Sequence, residues 1–278
     1  MSKTKAAESL VALVTGASRG IGAAIARRLA AEGAEVGIVA RSMEAHAHLP
    51  GTLRQTALDI RDLGGRAVAL PGDLSDPLTR RRIIEDALGR LGRVDILVNN
   101  ASAAYYMPFE RYSEKRYRIA FELNVRAPFD LAQGLLAGMR ERKRGWILNI
   151  SAGTARHPEG PDYDAFSLTG GGILYGMTKA ALDRFSTGLA AEVSGEGISV
   201  NSLAPVAAVR TPGTEALGLL PDDPSLVEPL EVTVEAAVAM CTEPAGSLTG
   251  RVVSTRQILK ELGRTPRTLD GSAEFSEE

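Results

Sequence analysis

The sequence predicts an α/β fold in which a parallel sheet of about seven strands is flanked by helices. Short apolar runs that favour strands alternate with longer helical segments along almost the entire chain. The apolar runs lack the polar–apolar alternation of half-exposed strands, which indicates a sheet that is buried on both faces. The first run leads into a glycine-rich turn and then a helix, an order typical of a single doubly wound, Rossmann-type domain.

The predicted strands are all short and apolar. They are residues 10–15, 35–40, 67–71, 94–99, 146–151, 198–203 and 251–254. The predicted helices lie between them, at residues 21–31, 52–63, 77–88, 114–140, 175–193 and 232–241. The sequence is compatible with either a continuous or an interrupted helix at 114–140. One domain over residues 10–264 is therefore expected, with a flexible N-terminus at 1–9 and a loosely held tail at 265–278.

Composition and charge exclude several classes of protein. The chain has 278 residues, of which 44% are hydrophobic and 24% charged, as in ordinary globular proteins. Its net charge of −2 provides no basic field for nucleic acid or an anionic membrane, and no apolar run is long enough to span a bilayer. The single Cys241 excludes an intrachain disulfide, and its apolar helical setting predicts a core position. The N-terminus lacks the apolar stretch of a secretory signal, so a cytoplasmic protein is expected.

The first candidate site is a glycine-rich turn between the first strand and the first helix. It reads Thr15-Gly-Ala-Ser-Arg-Gly-Ile-Gly22, with the glycines spaced Gly-x-x-x-Gly-x-Gly. Glycine permits positive φ angles and close backbone approach, and the following helix offers unpaired N–H groups at the positive end of its dipole. The turn therefore predicts a cradle for a diphosphate. An ordinary strand–turn–helix connection is the alternative.

The second candidate site is a pair of residues on one predicted helix. Tyr175 and Lys179 are four positions apart, so their side chains lie on the same face. A phenol has an ordinary pKa of about 10, which makes it a poor proton donor or acceptor near neutral pH. A neighbouring ammonium favours the phenolate and lowers that pKa. The pair can therefore exchange a proton with an alcohol or carbonyl oxygen.

Six motifs, taken in order, resemble those of the short-chain dehydrogenase/reductase family. They are the glycine turn, Asp73-Leu74, Asn99-Asn-Ala-Ser102, Asn124, Tyr175-x-x-x-Lys179 and the stretch from Asn201 to Pro205, within a similarity that runs from about residue 11 to 255. Residues 49–53 and 60–65 resemble more particularly the hydroxysteroid dehydrogenase-like branch. The resemblance implies direct hydride transfer between a nicotinamide cofactor and a carbinol or carbonyl carbon.

The resemblance also implies roles for individual residues. Cofactor contacts are expected from Gly16, Ser18, Arg19, Gly20, Ile21, Gly22, Asp73, Leu74, Asn100, Ala101, Tyr175, Lys179, Pro205 and Thr211. Tyr175 is the expected general acid and base, while Lys179 lowers its pKa and holds the nicotinamide ribose. Asn124 is expected to organise a water that links Lys179 to solvent in a proton relay. No metal site is predicted.

The serine that the family places beside its tyrosine is displaced or replaced in this chain. Ala152 stands at the expected position, and Ser151 precedes it by one residue. A one-residue offset in a strand points to the opposite face, unless a bulge turns Ser151 toward the site. Alternatively, a residue of the longer connection to the tyrosine donates the hydrogen bond, from Thr154, Ser167 or Thr169. In a third possibility, the site lacks this donor and reacts slowly.

Charge at the end of the second strand predicts NADP(H) rather than NAD(H). A carboxylate there would bind the ribose 2′-OH and repel a 2′-phosphate, but the position holds Ala40, and Arg41 follows it. Arg19 in the glycine turn can face the same pocket, and guanidinium groups bind phosphate through paired, charge-assisted hydrogen bonds. In the alternative, Arg41 is a solvated surface charge and Arg19 stacks on the adenine.

The combined prediction is an NADP(H)-dependent oxidoreductase for an apolar ketone or secondary alcohol. Aromatic and apolar side chains in the expected substrate walls favour this class. These walls lie at residues 105–107, 158–168 and 212–224, the last within a lid at 209–229. The family implies a homodimer or homotetramer assembled through residues 114–140 and 175–193. The alternative, motivated by Ala152, is an NADP(H)-binding protein with little or no turnover that acts as a redox sensor or assembly component.

Overall fold

A seven-stranded parallel sheet organises the structure, a computed structural model that describes residues 7, 9–44, 50–163, 165–168, 172–216 and 218–276. The strands are β1 (Val11–Thr15), β2 (Glu35–Ala40), β3 (Arg66–Pro71), β4 (Ile96–Asn99), β5 (Gly145–Ile150), β6 (Ile198–Ala204), the short pair β7 (Ala208–Val209) and β8 (Val227–Glu228), and β9 (Val252–Ser254). The main sheet has the order β3-β2-β1-β4-β5-β6-β9. The strand order reverses between β1 and β4, which creates a crevice at the carboxyl ends of these strands.

Both faces of the sheet are covered by core. In β1, Ala12 and Val14 belong to one buried cluster, whereas Val11 and Leu13 belong to the other. Consecutive side chains of a strand point to opposite faces, so a sheet buried on both sides favours apolar residues at most positions. This arrangement explains the continuous apolar runs in the sequence.

Helices cover both faces and connect the strands. They are α1 (Gly20–Ala31), α2 (Leu53–Asp62), α3 (Pro77–Leu91), α4 (Glu114–Phe121), α5 (Ala127–Arg142), α6 (Ala165–Leu168), α7 (Ile173–Glu192), α8 (Pro212–Ala216), α9 (Leu230–Thr242) and α10 (Thr255–Leu262). Four of them begin at a residue whose side chain accepts a hydrogen bond from the backbone N–H three positions later: Thr52, Asp76, Ser113 and Ser254. These caps satisfy N–H groups that have no partner within the helix.

The segment predicted as a helix at residues 114–140 is interrupted. A π-helix at Glu122–Arg126 lies between α4 and α5 and carries Asn124. Pro128 lacks the N–H that an α-helix would bond to the carbonyl of Asn124, which accounts for the break in the hydrogen-bond ladder at this point. Wide turns of this kind often occur at functional sites, because they change the direction of one side chain.

The segments outside the main sheet have defined contacts where the structure describes them. Ala208 pairs with Val227, and this short ladder of β7 and β8 closes the base of the predicted lid. In residues 265–276, where the sequence predicts a loosely held tail, Arg267 and Glu274 form an antiparallel bridge. Predictions for residues 1–6, 8 and 277–278 lie outside the described residues. Within the described part, no helix combines the length and apolar character needed to cross a membrane.

Candidate active site

The glycine turn is packed too tightly to accept side chains. Gly16 and Gly20 have positive φ angles of 66° and 56°, which glycine adopts without strain. A Cβ on Gly22 would collide with the amide nitrogen of Asn100 and lie 2.5 Å from the carbonyl oxygen of Gly16. Ile21 is partly buried against the core. The turn thus presents backbone at the N-terminus of α1, where the helix dipole favours an anion.

Thr15 joins the glycine turn to the loop after β4. Its hydroxyl donates to the carbonyl of Val98 at 3.3 Å and accepts from the backbone N–H groups of Asn100 (2.9 Å) and Ala101 (3.0 Å). The side chain of Asn100 donates to the carbonyl of Thr15 at 3.0 Å. Two segments predicted to bind the cofactor therefore meet where the strand order reverses.

Arg19 is held by the segment that precedes α2. Its Nε donates to the carbonyl of Pro50 and its Nη2 to the carbonyl of Gly51, both at 2.9 Å. These bonds use two of the five N–H groups of a guanidinium. Burial, and then repulsion by Arg41, lower the pKa of Arg19. The two guanidinium groups are thus close enough to repel each other. Ser18, the residue before Arg19, is buried. An anion between the two cations would relieve their repulsion.

The residues predicted to contact the adenine form a turn after β3. Asp73 is exposed and its Oδ1 accepts from the backbone N–H (2.9 Å) and hydroxyl (2.8 Å) of Ser75. Leu74 is buried, and its carbonyl accepts from Nη1 of the buried Arg80 at 2.8 Å. This turn therefore has a fixed backbone, set by Asp73 on one side and Arg80 on the other.

Thr211 of the predicted lid lies against the glycine turn. A Cβ on Gly20 would be 3.2 Å from the Thr211 side chain. The backbone N–H of Thr211 donates to Oγ1 of Thr214 at 2.9 Å, and that hydroxyl donates to the carbonyl of Val209 at 2.7 Å. Pro205 is partly buried where β6 ends. The lid thus meets the predicted diphosphate cradle through Thr211.

A buried carboxylate, Glu228, fastens the base of the lid. Its Oε2 accepts from the backbone N–H of Val206 at 3.0 Å and from the Thr255 hydroxyl at 2.7 Å. Its Oε1 accepts from the Thr233 hydroxyl at 2.6 Å. Only 1% of Glu228 is exposed, so these three donors replace the water that would otherwise solvate the carboxylate. Through them, Glu228 links the end of β6 to the beginning of α10.

Tyr175 and Lys179 lie together on one face of α7. The Lys179 ammonium is 5.5 Å from the centroid of the Tyr175 ring and donates to the carbonyl of Ile150 at 2.7 Å. The hydrogen bond to Ile150 holds the Lys179 ammonium at the carboxyl end of β5. The glycine turn lies at the same edge of the sheet. Burial lowers the pKa of Lys179 to about 8, against the opposing effect of Asp183. Burial also raises the pKa of Tyr175, an effect that the Ser102 side chain opposes.

Ser151 lies beside Asp183. Its hydroxyl is buried and completes no hydrogen bond within the described residues. Burial raises the pKa of Asp183, and the neighbouring Ser151 side chain lowers it. Ser202 donates to Oδ1 of Asp183 at 2.5 Å. The backbone at Ala152 is extended (φ −154°), so the alternation of β5 continues past Ser151 without a bulge. The hydroxyl therefore faces Asp183, on the side of α7 one turn beyond Lys179.

Asn124 is fully occupied by protein groups. Its Oδ1 accepts from the Ser102 hydroxyl at 3.1 Å and from the backbone N–H of Ala103 at 2.8 Å. Its Nδ2 donates to the carbonyl of Ala103 and to the Thr178 hydroxyl, both at 2.9 Å. These four bonds use the whole capacity of an asparagine amide. The side chain therefore fixes the loop after β4 against α7, and the water relay through Asn124 stays a prediction.

The connection before α7 contains a second buried hydroxyl. Oγ1 of Thr154 is buried with no hydrogen-bond partner in the part of the chain that the structure describes. The carbonyl of Thr154 packs against α7, where it lies 2.5 Å from the position of a Cβ on Gly176. Ser167 is partly buried. Thr169 lies outside the described residues.

Sequence reasoning missed the roles of three groups in this region: the Ser102 hydroxyl bonded to Asn124, the Asp183 carboxylate beside Lys179 and the Glu228 carboxylate under the lid. Asp183 carried a usable signal, because it follows Lys179 by four positions on a helix. The contacts of Ser102 and Glu228 join residues distant in sequence, and nothing local indicates them.

Comparisons with known proteins identify the family. A family model described as short chain dehydrogenase matches residues 10–218. Hydroxysteroid dehydrogenase-like protein 2 of Xenopus tropicalis is 33% identical over 251 residues, which are 90% of this chain and 57% of that protein. The chain thus spans little more than half the length of this relative.

Solved structures share the whole fold. A short chain dehydrogenase of Mycobacterium thermoresistibile has a TM-score of 0.80 and 30% identity, covering 98% of this chain and 93% of its own. A metagenomic short-chain oxidoreductase in complex with NADP has a TM-score of 0.72 and 27% identity, covering 90% and 97%. The predicted fold and the similarity to the hydroxysteroid dehydrogenase-like branch are confirmed. The chain belongs to the short-chain dehydrogenase family.

Proposed function

We propose that the protein is an NADP(H)-dependent oxidoreductase that interconverts an apolar ketone and a secondary alcohol. The observation that carries the proposal is the Lys179 ammonium, 5.5 Å from the Tyr175 ring and tied to the carbonyl of Ile150 at the carboxyl end of β5. An acid–base group with a neighbouring cation therefore lies at the same sheet edge as a backbone cradle for a diphosphate.

The residues of the crevice fit a nicotinamide dinucleotide. Gly16 and Gly20 open the turn to a diphosphate, Asn100 and Ala101 border it, and Thr211 lies across it. When bound, the cofactor supplies or accepts the hydride. We extend the proposed contacts to the remaining predicted positions: Ser18, Arg19, Ile21, Gly22, Arg41, Asp73, Leu74, Tyr175, Lys179 and Pro205.

In this proposal, Tyr175 handles the proton that accompanies the hydride. In reduction its phenol gives a proton to the carbonyl oxygen, and in oxidation its phenolate removes the proton of the alcohol. Lys179 favours the phenolate by its charge and holds the cofactor ribose. Asn124 organises the proton relay from Lys179 to solvent, and its side chain binds the Ser102 and Thr178 hydroxyls on either side of the site.

The choice of NADP(H) is supported by the pair of guanidinium groups at the end of β2. Arg41 is close enough to Arg19 to lower its pKa, and Arg19 retains unused N–H groups beyond those bound to Pro50 and Gly51. A 2′-phosphate between the two cations would receive charge-assisted hydrogen bonds. The metagenomic relative solved with NADP supports the same choice.

Calorimetric affinities for NADPH and NADH test this choice. The wild type is expected to bind NADPH at least about tenfold more tightly, as one charge-assisted interaction provides. Arg41→Asp is expected to reverse the preference, because its carboxylate repels the 2′-phosphate. Arg61→Asp makes the same charge change at an exposed position of α2 and should leave the preference unchanged. Equal affinity of the wild type for both cofactors would refute it.

A panel of carbonyl compounds, followed by NADPH consumption, tests the reaction. Tyr175→Phe keeps the ring but removes the proton donor, so turnover is expected to fall by about 10² to 10⁴. NADPH binding should persist in this variant, which separates lost chemistry from lost folding. Tight NADPH binding by the wild type without turnover of any compound would instead support the redox-sensor alternative.

We further propose that α5 and α7 form the contact of a homodimer. Phe129 is 40% exposed and its ring centroid lies 5.5 Å from that of Phe185, beside a groove of about 380 Å³ between the two helices. Burial of these rings against a second copy would remove apolar surface from water. Light scattering should show a dimer for the wild type and a monomer for Phe129→Glu. A wild-type monomer would refute the contact.

A further inference from the structure

Arg80 is a buried guanidinium in the first turn of α3. Only 2% of the residue is exposed, whereas its neighbours Arg81 and Arg82 are exposed. A buried charge of this kind is costly unless it is paired and hydrogen-bonded. Nη1 of Arg80 donates to the carbonyl of Leu74, in the turn after β3, and Nε donates to Oδ2 of Asp130, in the first turn of α5, both at 2.8 Å.

The carboxylates around Arg80 lie at the two ends of the π-helix that carries Asn124. Glu122 is the first residue of that π-helix, and its Oε2 lies 2.9 Å from Nη2 of Arg80. The angle of this contact makes it an ion pair rather than a hydrogen bond. Asp130 accepts at its other oxygen, Oδ1, from Nε of Arg126, the last residue of the π-helix, at 2.7 Å. Arg80 therefore ties the turn after β3 directly to one end of the π-helix and through Asp130 to the other.

The two segments that Arg80 joins are held unequally by their other contacts. Asn124 anchors the π-helix by itself, because its side chain makes four hydrogen bonds to the loop after β4 and to α7. In the turn after β3, Asp73 binds Ser75 at the exposed surface, and Arg80 supplies the buried hydrogen bond, to the carbonyl of Leu74. Removal of the guanidinium should therefore loosen the turn and leave the π-helix in place.

We propose that Arg80 is the positioning residue for the adenine side of the cofactor site, where it fixes the turn of Asp73 and Leu74 against the π-helix. This inference rests on the cofactor contacts proposed above, in which that turn meets the adenine. Contact groups of a binding site need supporting hydrogen bonds that lock their own positions. Arginine suits this role because its planar fork carries five N–H donors that reach partners in different directions, whereas lysine has one nitrogen.

Two fragments of the cofactor separate the two sides of the site. Adenosine 2′,5′-bisphosphate contains the adenine and the 2′-phosphate, and reduced nicotinamide mononucleotide contains the other half. Arg80→Met keeps a long side chain but removes all N–H groups. Its calorimetric affinity for the bisphosphate is expected to fall at least about tenfold, as for the loss of one hydrogen bond to a charged group. Its affinity for the nicotinamide fragment should stay that of the wild type.

Arg81→Met and Arg28→Met are the matched controls. Arg81 is the exposed neighbour on α3, so its replacement should leave both affinities unchanged. Arg28 is as buried as Arg80 and is paired with Glu32 and Glu235, toward the end of α1 that lies away from the glycine turn. Arg28→Met is therefore expected to lower thermal stability without a change in either affinity.

A general destabilisation would give a different pattern. Equal losses for both fragments in Arg80→Met, or the same loss of bisphosphate affinity in Arg28→Met, would overturn the proposal. Arg80→Lys is the second variant, because it keeps a positive charge beside the carboxylates and so favours folding. Its single nitrogen cannot reach every partner of the guanidinium, so its bisphosphate affinity is also expected to fall.

Hydrogen exchange of the ligand-free protein, followed by mass spectrometry, measures the positioning directly. Peptides that cover residues 72–76 are expected to exchange faster in Arg80→Met than in the wild type, while those that cover residues 122–126 keep the wild-type rate. The controls at Arg81 and Arg28 should leave residues 72–76 unchanged. Wild-type exchange at residues 72–76 in every Arg80 variant that folds overturns the proposal.

Failure of this inference and failure of the proposed function give different results. A wild type that binds neither NADPH nor the bisphosphate would remove the proposed function and this inference with it. A wild type that binds both, together with folded Arg80 variants that bind the bisphosphate equally well, would overturn the role of Arg80 alone and leave the proposed function standing.

Discussion

Asp183 lies one helical turn beyond Lys179 on α7, and its carboxylate opposes the loss of charge that burial imposes on the ammonium. The carboxylate is partly buried and accepts a hydrogen bond from the Ser202 hydroxyl at 2.5 Å, with Ser151 beside it. Lys179 thus stands between the Tyr175 ring and a fixed negative charge.

Replacement of Asp183 by asparagine is expected to move the pH dependence of the reaction. Lys179 has a pKa of about 8, so its charge is present below that pH and is lost as the pH rises through it. Asp183→Asn removes the influence that raises this pKa, and the Lys179 ammonium is then lost at lower pH. The high-pH decline of carbonyl reduction should shift toward acid, measured as kcat/KM against pH with the best substrate of the panel. An unshifted decline would show that Asp183 does not act on Lys179.

Gly22→Ala is expected to abolish NADPH binding and lower stability. The new methyl group would collide with the side-chain amide of Asn100 and lie 2.5 Å from the backbone carbonyl oxygen of Gly16. Both groups belong to the proposed diphosphate cradle. Gly89→Ala provides the control, because a Cβ at that position in α3 meets nothing within 4 Å. In that open helical position alanine should be neutral or stabilising by up to about 1 kcal/mol. Binding of NADPH and thermal unfolding check both; unimpaired NADPH affinity in Gly22→Ala would contradict the described packing.

Glu228→Gln is expected to loosen the base of the lid. A glutamine oxygen can accept only part of the three hydrogen bonds that the carboxylate accepts, and its NH₂ group would face the donors Val206, Thr233 or Thr255. We expect a loss of about 1–3 kcal/mol in the free energy of unfolding, measured with urea.

Weaker NADPH binding should accompany the Glu228→Gln change, because Thr211 of the lid lies on the glycine turn. Glu231→Gln, at a partly buried position at the start of α9, makes the same chemical change next to the lid base. It should have a much smaller effect on both measurements. Equal stability of wild type and Glu228→Gln would show that the carboxylate is not required at the lid base.

Arg28 and Glu235 form a buried ion pair between α1 and α9, with Nη2 and Oε2 at 2.8 Å and both side chains at most 3% exposed. Glu235→Gln removes one of the two carboxylates paired with the buried guanidinium and leaves Glu32, 3.0 Å from its Nε, so it is expected to cost about 1.5–3 kcal/mol. Arg27 forms a more exposed ion pair with Asp59, in which the two side chains are 33% and 27% exposed, respectively. Arg27→Ala removes this pair and should cost at most about 1 kcal/mol. Chemical denaturation of both variants measures the contrast, and comparable losses would contradict it.

The sheet was predictable because its information is local. Strands β1, β2 and β6 coincide with the predicted strands to within one residue, since strands buried on both faces are rich in apolar residues. The sequence did not decide the conformation at Glu122–Arg126. Pro128 indicates that a helical hydrogen bond is missing, but it does not specify which type of turn replaces the α-helix. The short strands β7 and β8 were not predicted, since two residues carry no periodic signal.

The sequence by itself determined the order of strands and helices, the family, and the residue types of the proposed site: the glycine turn, Tyr175 and Lys179. The glycine turn and the Tyr175–Lys179 pair each lie within a few residues of one element, and the geometry of that element decides which side chains share a face. Only the tertiary structure decided that Asn124 joins Ser102 of the loop after β4 to Thr178 of α7, and that Ser151 lies beside Asp183. Those contacts join segments far apart in the chain, and the packing of the loop after β4 against α7 brings them together.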